Sequence, residues 1–402
     1  MATERVRSIT IIVLCEVAVL TLWFSATAVV PALKAEGGLD DHTASLFTSA
    51  VQIGFVVGTL ASALFGLADR FDGRKLFAAC ALIGAGANAL ILFVDPASGT
   101  TIGLRFATGV IMAGVYPVGM RLVVAWAKAD MGLLVGLLVG ALTLGSASPH
   151  LFQFLGGLDW RLTLASASVV SVFGAVGILM AREGPGTRRA ASFHFRHIAA
   201  YWTERPIRYA NFGYLGHMWE LYAMWAWIGV FLAAAYATHM SSEDARALAA
   251  LMTFWVIAAG GLGAVVAGFL ADRFGRTTIA SASMIISGLC ALTIGMLFDA
   301  SPVMLSVVAL VWGFSVVADS AQFSASVAEL SDPERVGTMM TAQTSVGFLL
   351  TLISVHLVPW MAEEWGWRNA FYVLAIGPAF GTYAMLRLRQ MPDALKLAGG
   401  RR

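Results

Sequence analysis

One short string occurs twice in this chain, half a length apart, and it limits the fold more than any other feature. Residues 66–75 read GLADRFDGRK and residues 268–277 read GFLADRFGRT, each between two long apolar stretches. Asp69 and Asp272 stand 203 positions apart in a chain of 402 residues. A second element, Trp160-Arg161 and Trp367-Arg368, repeats at 207. Self-similarity at half the chain length means two copies of one unit.

The medium for those copies follows from composition. Hydrophobic residues make up 58% of the chain and charged residues 12%, about half the charged share of a water-soluble domain. Twelve apolar stretches emerge, each near the ~20 residues that carry a helix across hydrocarbon. They fall at about 9–33, 45–67, 76–95, 99–126, 131–155 and 162–181, then at about 209–236, 247–271, 277–298, 302–328, 336–361 and 367–388. A closed barrel is excluded, because its strands alternate polar and apolar residues over ~10 positions. The expected fold is an all-α integral membrane protein: twelve transmembrane helices in two pseudo-symmetric six-helix bundles. Residues 1–181 form the first bundle, 182–208 a linker, and 209–402 the second bundle with a short tail.

Charge sets the orientation. With the N-terminus inside and one crossing per stretch, four of the 26 Lys and Arg (Lys34, Arg161, Arg246, Arg368) fall outside and Arg105 falls within a span. The other 21 are on the inner side, which places both termini and the linker in the cytoplasm. The net charge of +2 is this bias and no sign of nucleic-acid binding. Cys15, Cys80 and Cys290 all lie in apolar stretches and read as free buried thiols. Arg5, Arg7 and the Ser25–Ala28 segment loosely imitate a cleavable leader, but Glu16 interrupts the apolar run and loss of a span would break the two-by-six count. The linker carries Gly184-Pro185-Gly186, then Arg188, Arg189, Arg196, Arg205 and Arg208, and His194 with His197. A short amphipathic helix fits 192–205, and the two histidines read as solvated, so neither metal nor cofactor is expected.

The whole chain resembles the major facilitator superfamily of secondary transporters. GFLADRFGRT matches the family's loop signature G-x-x-x-D-R-x-G-R through Gly268, Asp272, Arg273, Gly275 and Arg276. The first copy keeps Asp69, Arg70, Gly73 and Arg74, but Phe65 stands where the leading glycine belongs and Asp72 is inserted. LDWR at 158–161 and GWRNAF at 366–371 resemble the Trp-Arg element before the last helix of each half. The resemblance implies a gating latch in the signature loops, and a central cavity lined by spans one, four, seven and ten. It also implies a multi-pass protein of the bacterial inner membrane whose halves rock about a midplane site.

An ionisable group at mid-bilayer costs at least ~2.5–3.5 kcal/mol, so each needs a reason. Glu16, Arg105, Glu220 and Asp319 fall one in each of spans one, four, seven and ten. Glu16 and Glu220 stand 204 apart, matching places in the two halves. In span ten, Ser315, Asp319, Gln322, Ser326 and Glu329 recur at helical spacing as one polar stripe. Glu329, near the inner end, reads as a loop-latch or snorkelling residue. His217 lies one turn before Glu220 and on a face with Trp227, placed to share that acid's proton. Arg105, Gly109, Met112 and Tyr116 share a face of span four, and Arg105-x-x-x-Gly109 resembles the family's fourth-helix motif, whose arginine is linked with proton transfer. His150, with Ser146 and Gln153, reads as a structural hydrogen-bonding group.

These residues point to secondary active transport of a small solute by alternating access, with protons as coupling ion. There is no G-x-x-x-x-G-K-[ST] for ATP, no hydrolytic motif of an enzyme and no filter-like loop of a channel. An arginine in the cavity suits a carboxylate; aromatic faces beside an acid suit an organic cation. Span five lacks the Gly-Pro pair usual in drug–proton antiporters, with Gly145 and Pro149 separated, which tilts the expectation toward proton symport of a small organic anion. Proton-driven export of amphipathic cations or drugs is the alternative, and a non-transporting sensor on the same fold the remote one. One chain of two six-span halves suffices, in contact only with lipid, proton and solute.

Overall fold

The computed structural model describes residues 2–128, 131–186, 198–332 and 334–402, with only the backbone at Ala2, Ala68, Asp69, Met131 and Gly132. His194, His197, Arg188, Arg189 and Arg196 of the linker lie outside the described residues. So does most of the helix expected at 192–205, of which Ile198–Thr203 is described and helical.

Among the described residues, twelve helices are long and apolar enough to cross a membrane. Spans one to six are Thr3–Ala35, Asp41–Phe65, Gly73–Phe93, Gly99–Val124, Leu133–Leu155 and Trp160–Met180. Spans seven to twelve are Arg205–Tyr236, Ser242–Phe274, Arg276–Leu297, Pro302–Leu330, Val336–Trp365 and Trp367–Arg389. The chain is thus an all-α, twelve-span membrane protein, as its apolar pattern requires.

Three of the four spans that carry an embedded charge are broken. Span one ends its first helix at Ala28 and resumes at Val30, with Pro31 in the first turn. Span four breaks after Met112 and resumes at Tyr116, followed by Pro117, whose ring has no N–H for the preceding turn. Span ten breaks at Asp319, the residue between Pro302–Ala318 and Ser320–Leu330. Span seven runs unbroken over Arg205–Tyr236.

By contacts the chain groups into two units, Met1–Arg189 with Ala226–Ala258, and Ala190–Trp225 with Ala259–Arg402. In the first, spans two and four cross at backbone contact. A Cβ at Gly54 would lie 2.1 Å from the Phe106 carbonyl oxygen, and one at Gly109 would lie 1.9 Å from that of Val51. Without a hydrophobic drive between helices in lipid, such close van der Waals approach is what joins them. Gly109 therefore faces span two, and the Arg105–Gly109 face of span four is a helix contact.

Candidate functional site: embedded acids and signature loops

In the first unit Arg105 is fully buried, and every nitrogen of its guanidinium has an acceptor. Nε donates to the Phe47 carbonyl at 3.3 Å. Nη1 donates to the Leu22 carbonyl at 2.9 Å and to Ser25 Oγ at 3.4 Å, and Nη2 donates to the Trp23 carbonyl. The arginine thus ties span four to spans one and two through main-chain oxygens. Ser25 passes the network on, donating to Asn88 Oδ1 at 2.6 Å, while Asn88 donates to the Leu164 carbonyl and to Ser168.

Glu16 is the reverse case. It is fully buried, and neither carboxyl oxygen has a hydrogen-bond partner. Its head lies against Gly119, where a Cβ would stand 1.7 Å from Oε1. The second segment of span four therefore leaves room for this carboxyl only because it has no side chain there. Tyr116, three residues earlier, is half-buried at the start of that segment.

In the second unit Glu220 is held on both oxygens. Ser287 Oγ donates to Oε2 at 2.8 Å and Trp312 Nε1 donates to Oε1 at 2.7 Å, binding span seven to spans nine and ten. His217 does not turn to Glu220 as the one-turn spacing predicts. Its Nδ1 lies 2.8 Å from Asp319 Oδ1, with both side chains buried. Asp319 stands at the break of span ten, and its carboxyl meets span seven at His217. Tyr214 and Phe323 flank the imidazole, with ring centroids at 6.1 and 5.6 Å, and His217 Nε2 has no partner. Trp227 is buried and belongs by contacts to the first unit.

The polar stripe of span ten is real and points into the second unit: Ser315, Asp319, Gln322 and Ser326 are all buried. At its end Glu329 receives Arg276 through two bonds, Nε to Oε2 at 2.8 Å and Nη2 to Oε1 at 2.6 Å. Arg276 also donates to Gln322 Oε1 at 3.3 Å. Gly275 at φ +96° makes the preceding turn, where its missing Cβ leaves room for the Arg402 carbonyl. Asp272 is exposed and 3.9 Å from Arg276, while Arg273 is exposed and lies over the Phe274 ring at 5.5 Å. Of the second signature, then, Arg276 makes the interhelical bond and Asp272 with Arg273 do not. The tail closes on the same place, with the Ala398 N–H donating to Glu329 and Arg401 to the Asp272 carbonyl.

The first signature is wired differently. Asp72 caps the third span by accepting from the Arg74 N–H at 2.9 Å, and its carboxylate takes the Arg74 side chain at 3.1 and 2.7 Å. That hydrogen bond is the main reason the Asp72 carboxyl is held below its ordinary 3.8. Arg74 Nη1 adds the Ala181 carbonyl at 3.1 Å. Arg70 is exposed, and the side chain of Asp69 lies outside the described residues. Among the described residues no cluster of His, Cys, Asp and Glu fits a metal ion. Sequence reasoning missed Ser287, Trp312, Ser25 and Asn88; an apolar span gives no signal for which hydroxyl or indole faces an acid.

The model of the Major Facilitator Superfamily matches residues 12–243 and 221–402, so the chain belongs to that family of membrane transporters. Among curated proteins it is similar to a putative proline/betaine transporter of Staphylococcus haemolyticus (strain JCSC1435), 27% identical over 146 residues that cover 33% of this chain and 31% of the relative. It is also similar to the proline/betaine transporter of Escherichia coli (strain K12), 28% identical over 42% of this chain and 38% of the relative. The chain thus matches well under half the length of these relatives. Among solved structures, a bacterial homolog of the human lysosomal transporter Spinster, inward-facing and occupied, superposes with a TM-score of 0.73 at 14% identity, covering 97% of this chain and 99% of that one. At that identity the likeness speaks for the fold.

Proposed function

We propose that this protein is a proton-coupled secondary carrier of a small organic solute bearing a positive centre, a zwitterion of the betaine kind among them. The observation that carries the reading is the inequality of the embedded charges. Arg105 has its guanidinium committed to carbonyls of spans one and two, so it has no free donor pair for a substrate carboxylate. The acids are left: Glu16 without any donor, and Asp319 against His217 beside two aromatic rings. A carboxylate in low dielectric is stabilised by a proton or by a cationic ligand, and aromatic faces add to the second. Loss of the arginine from the substrate side removes the main support for a simple organic anion. The relatives, named as transporters of proline and betaine, agree with a solute that has a cationic nitrogen.

In this reading Glu16 and the Asp319–His217 pair exchange a proton as the surroundings alternate between closed and open. The two six-span halves divide at 182–208 and rock by alternating access in the bacterial inner membrane, with both termini cytoplasmic and one chain sufficient. The test is uptake of radiolabelled glycine betaine, proline and lactate into proteoliposomes under an imposed proton gradient. Uptake of a cationic-centred solute that ends on adding a protonophore, and in Asp319→Asn, supports the reading. Lactate uptake, or uptake indifferent to the protonophore, overturns it.

A further inference from the structure

A small cavity in the first unit lies where the C-terminal part of span five (His150, Gln153) meets the N-terminal part of span eight (Arg246, Thr253). Its walls include Ala28, His150, Gln153, Gly229, Arg246 and Thr253, all within that one unit, and its volume is about 20 Å³. That admits a water or an ion of similar size and no organic solute. Two of the walls are polar groups with unmet needs. His150 is 5% exposed and its Nε2 has no hydrogen-bond partner. Arg246 is half-buried and makes no ion pair or hydrogen bond among the described residues. The two acids nearest it in sequence, Glu243 and Asp244, are exposed, and Asp244 accepts from Ser241.

A buried polar nitrogen left unpaired costs about 1–3 kcal/mol, and a half-buried guanidinium without an acid adds to that. One occupant meets both needs: a small monovalent anion that accepts from His150 Nε2–H and faces the Arg246 charge. A water satisfies the imidazole but leaves the cation uncompensated. Gln153 donates one N–H of its Nε2 to the Leu158 carbonyl at 2.7 Å and accepts from Thr163 on Oε1, which leaves its second N–H to the anion. We infer that Arg246 and His150 form a halide-sized anion site, separate from the embedded acids. An anion there would join spans five and eight.

The test is thermal unfolding of the purified protein in detergent, with sodium chloride exchanged for sodium gluconate or sodium acetate at constant sodium. Binding to the folded state alone raises the midpoint, and near-saturating chloride is expected to raise it by about 2 °C over gluconate. Bromide should match chloride. Arg246→Gln and His150→Ala should each abolish the chloride response, while Arg246→Lys keeps part of it. Should His150→Ala fail to fold, Arg246→Gln at the rim decides alone. A midpoint indifferent to the anion overturns the site, as does a response that survives in Arg246→Gln. Acetate acting as well as chloride overturns the halide assignment in favour of a carboxylate.

Discussion

At matching places the two halves hold an acid in opposite ways. Glu16 is buried with no donor on either oxygen, whereas Glu220 has one on each, from Ser287 and Trp312. The signature loops diverge as well. In the second half Arg276 reaches across to Glu329 of span ten; in the first, Arg74 is met by Asp72 two residues away. At the offset of 203 the position that corresponds to Glu329 is Trp126, which is no acid. The inserted Asp72 therefore supplies locally the carboxylate that the second half obtains from another helix. Duplication kept the paired acids Glu16 and Glu220 and the signature arginines in place, and left their partners to each half separately. An acid with fixed donors is a joint between helices, and Glu16 makes no such joint.

The contrast is most easily broken at Glu220. Removing its carboxyl in Glu220→Ala strands the Ser287 hydroxyl and the Trp312 indole, and about 3 kcal/mol of stability should go with it. Glu16→Ala strands nothing and should leave the unfolding midpoint within about 1 °C of the native protein; equal losses in the two variants would end the distinction. Next in size, Arg276→Ala leaves Glu329 facing its pocket without the guanidinium. The pair is only partly exposed, with side chains at 16% and 30%, so about 2 kcal/mol is expected. The same change at Arg74 should cost under about 1 kcal/mol. A double-mutant cycle of Arg276 and Glu329 with no coupling would show that the interhelical bond is idle.

Function should invert the order. Glu16→Gln is expected to cut gradient-driven uptake at least tenfold, about 1.4 kcal/mol, while counterflow exchange without a gradient survives. Counterflow lost in parallel would make Glu16 a packing residue. A pH-dependent effect belongs to Asp72. Asp72→Ala forfeits the helix cap and the Arg74 contact, worth about 1 kcal/mol, and Asp72→Asn keeps most of the cap. Because the Asp72 carboxyl is held below 3.8 in the folded protein, its contribution is complete above that pH and fades as pH falls through the lowered value. The gap between native protein and Asp72→Ala should therefore close in acid; a gap constant to pH 3 would assign the stability to the backbone.

Much of this molecule was legible in its residues. The twelve spans follow from runs of apolar side chains, and the stripe from Ser315 to Ser326 was placed on a buried face by its spacing alone. Glu329 was read as a loop-latch or snorkelling residue from its place near the inner end, and the structure bonds it to Arg276. The misreadings share a cause. His217 was paired with Glu220 because they stand one turn apart, yet the break at Asp319 offers it another acid. Gly109 was grouped on one face with Arg105, Met112 and Tyr116, and it marks where span two touches the backbone. Arg105 was open to a carboxylate until three backbone carbonyls accounted for it.

By itself, the sequence determined that the chain lies in a membrane, crosses it twelve times and is built twice over, because length, apolarity and charge placement act locally and survive any packing. It also determined which side chains are too costly to face lipid. Which of them meet was decided only in three dimensions. Trp312 stands 92 residues from Glu220, and Glu329 stands 53 from Arg276. Helical period tells the face of a helix, but rotation, breaks and the close approach of its neighbours choose the partner.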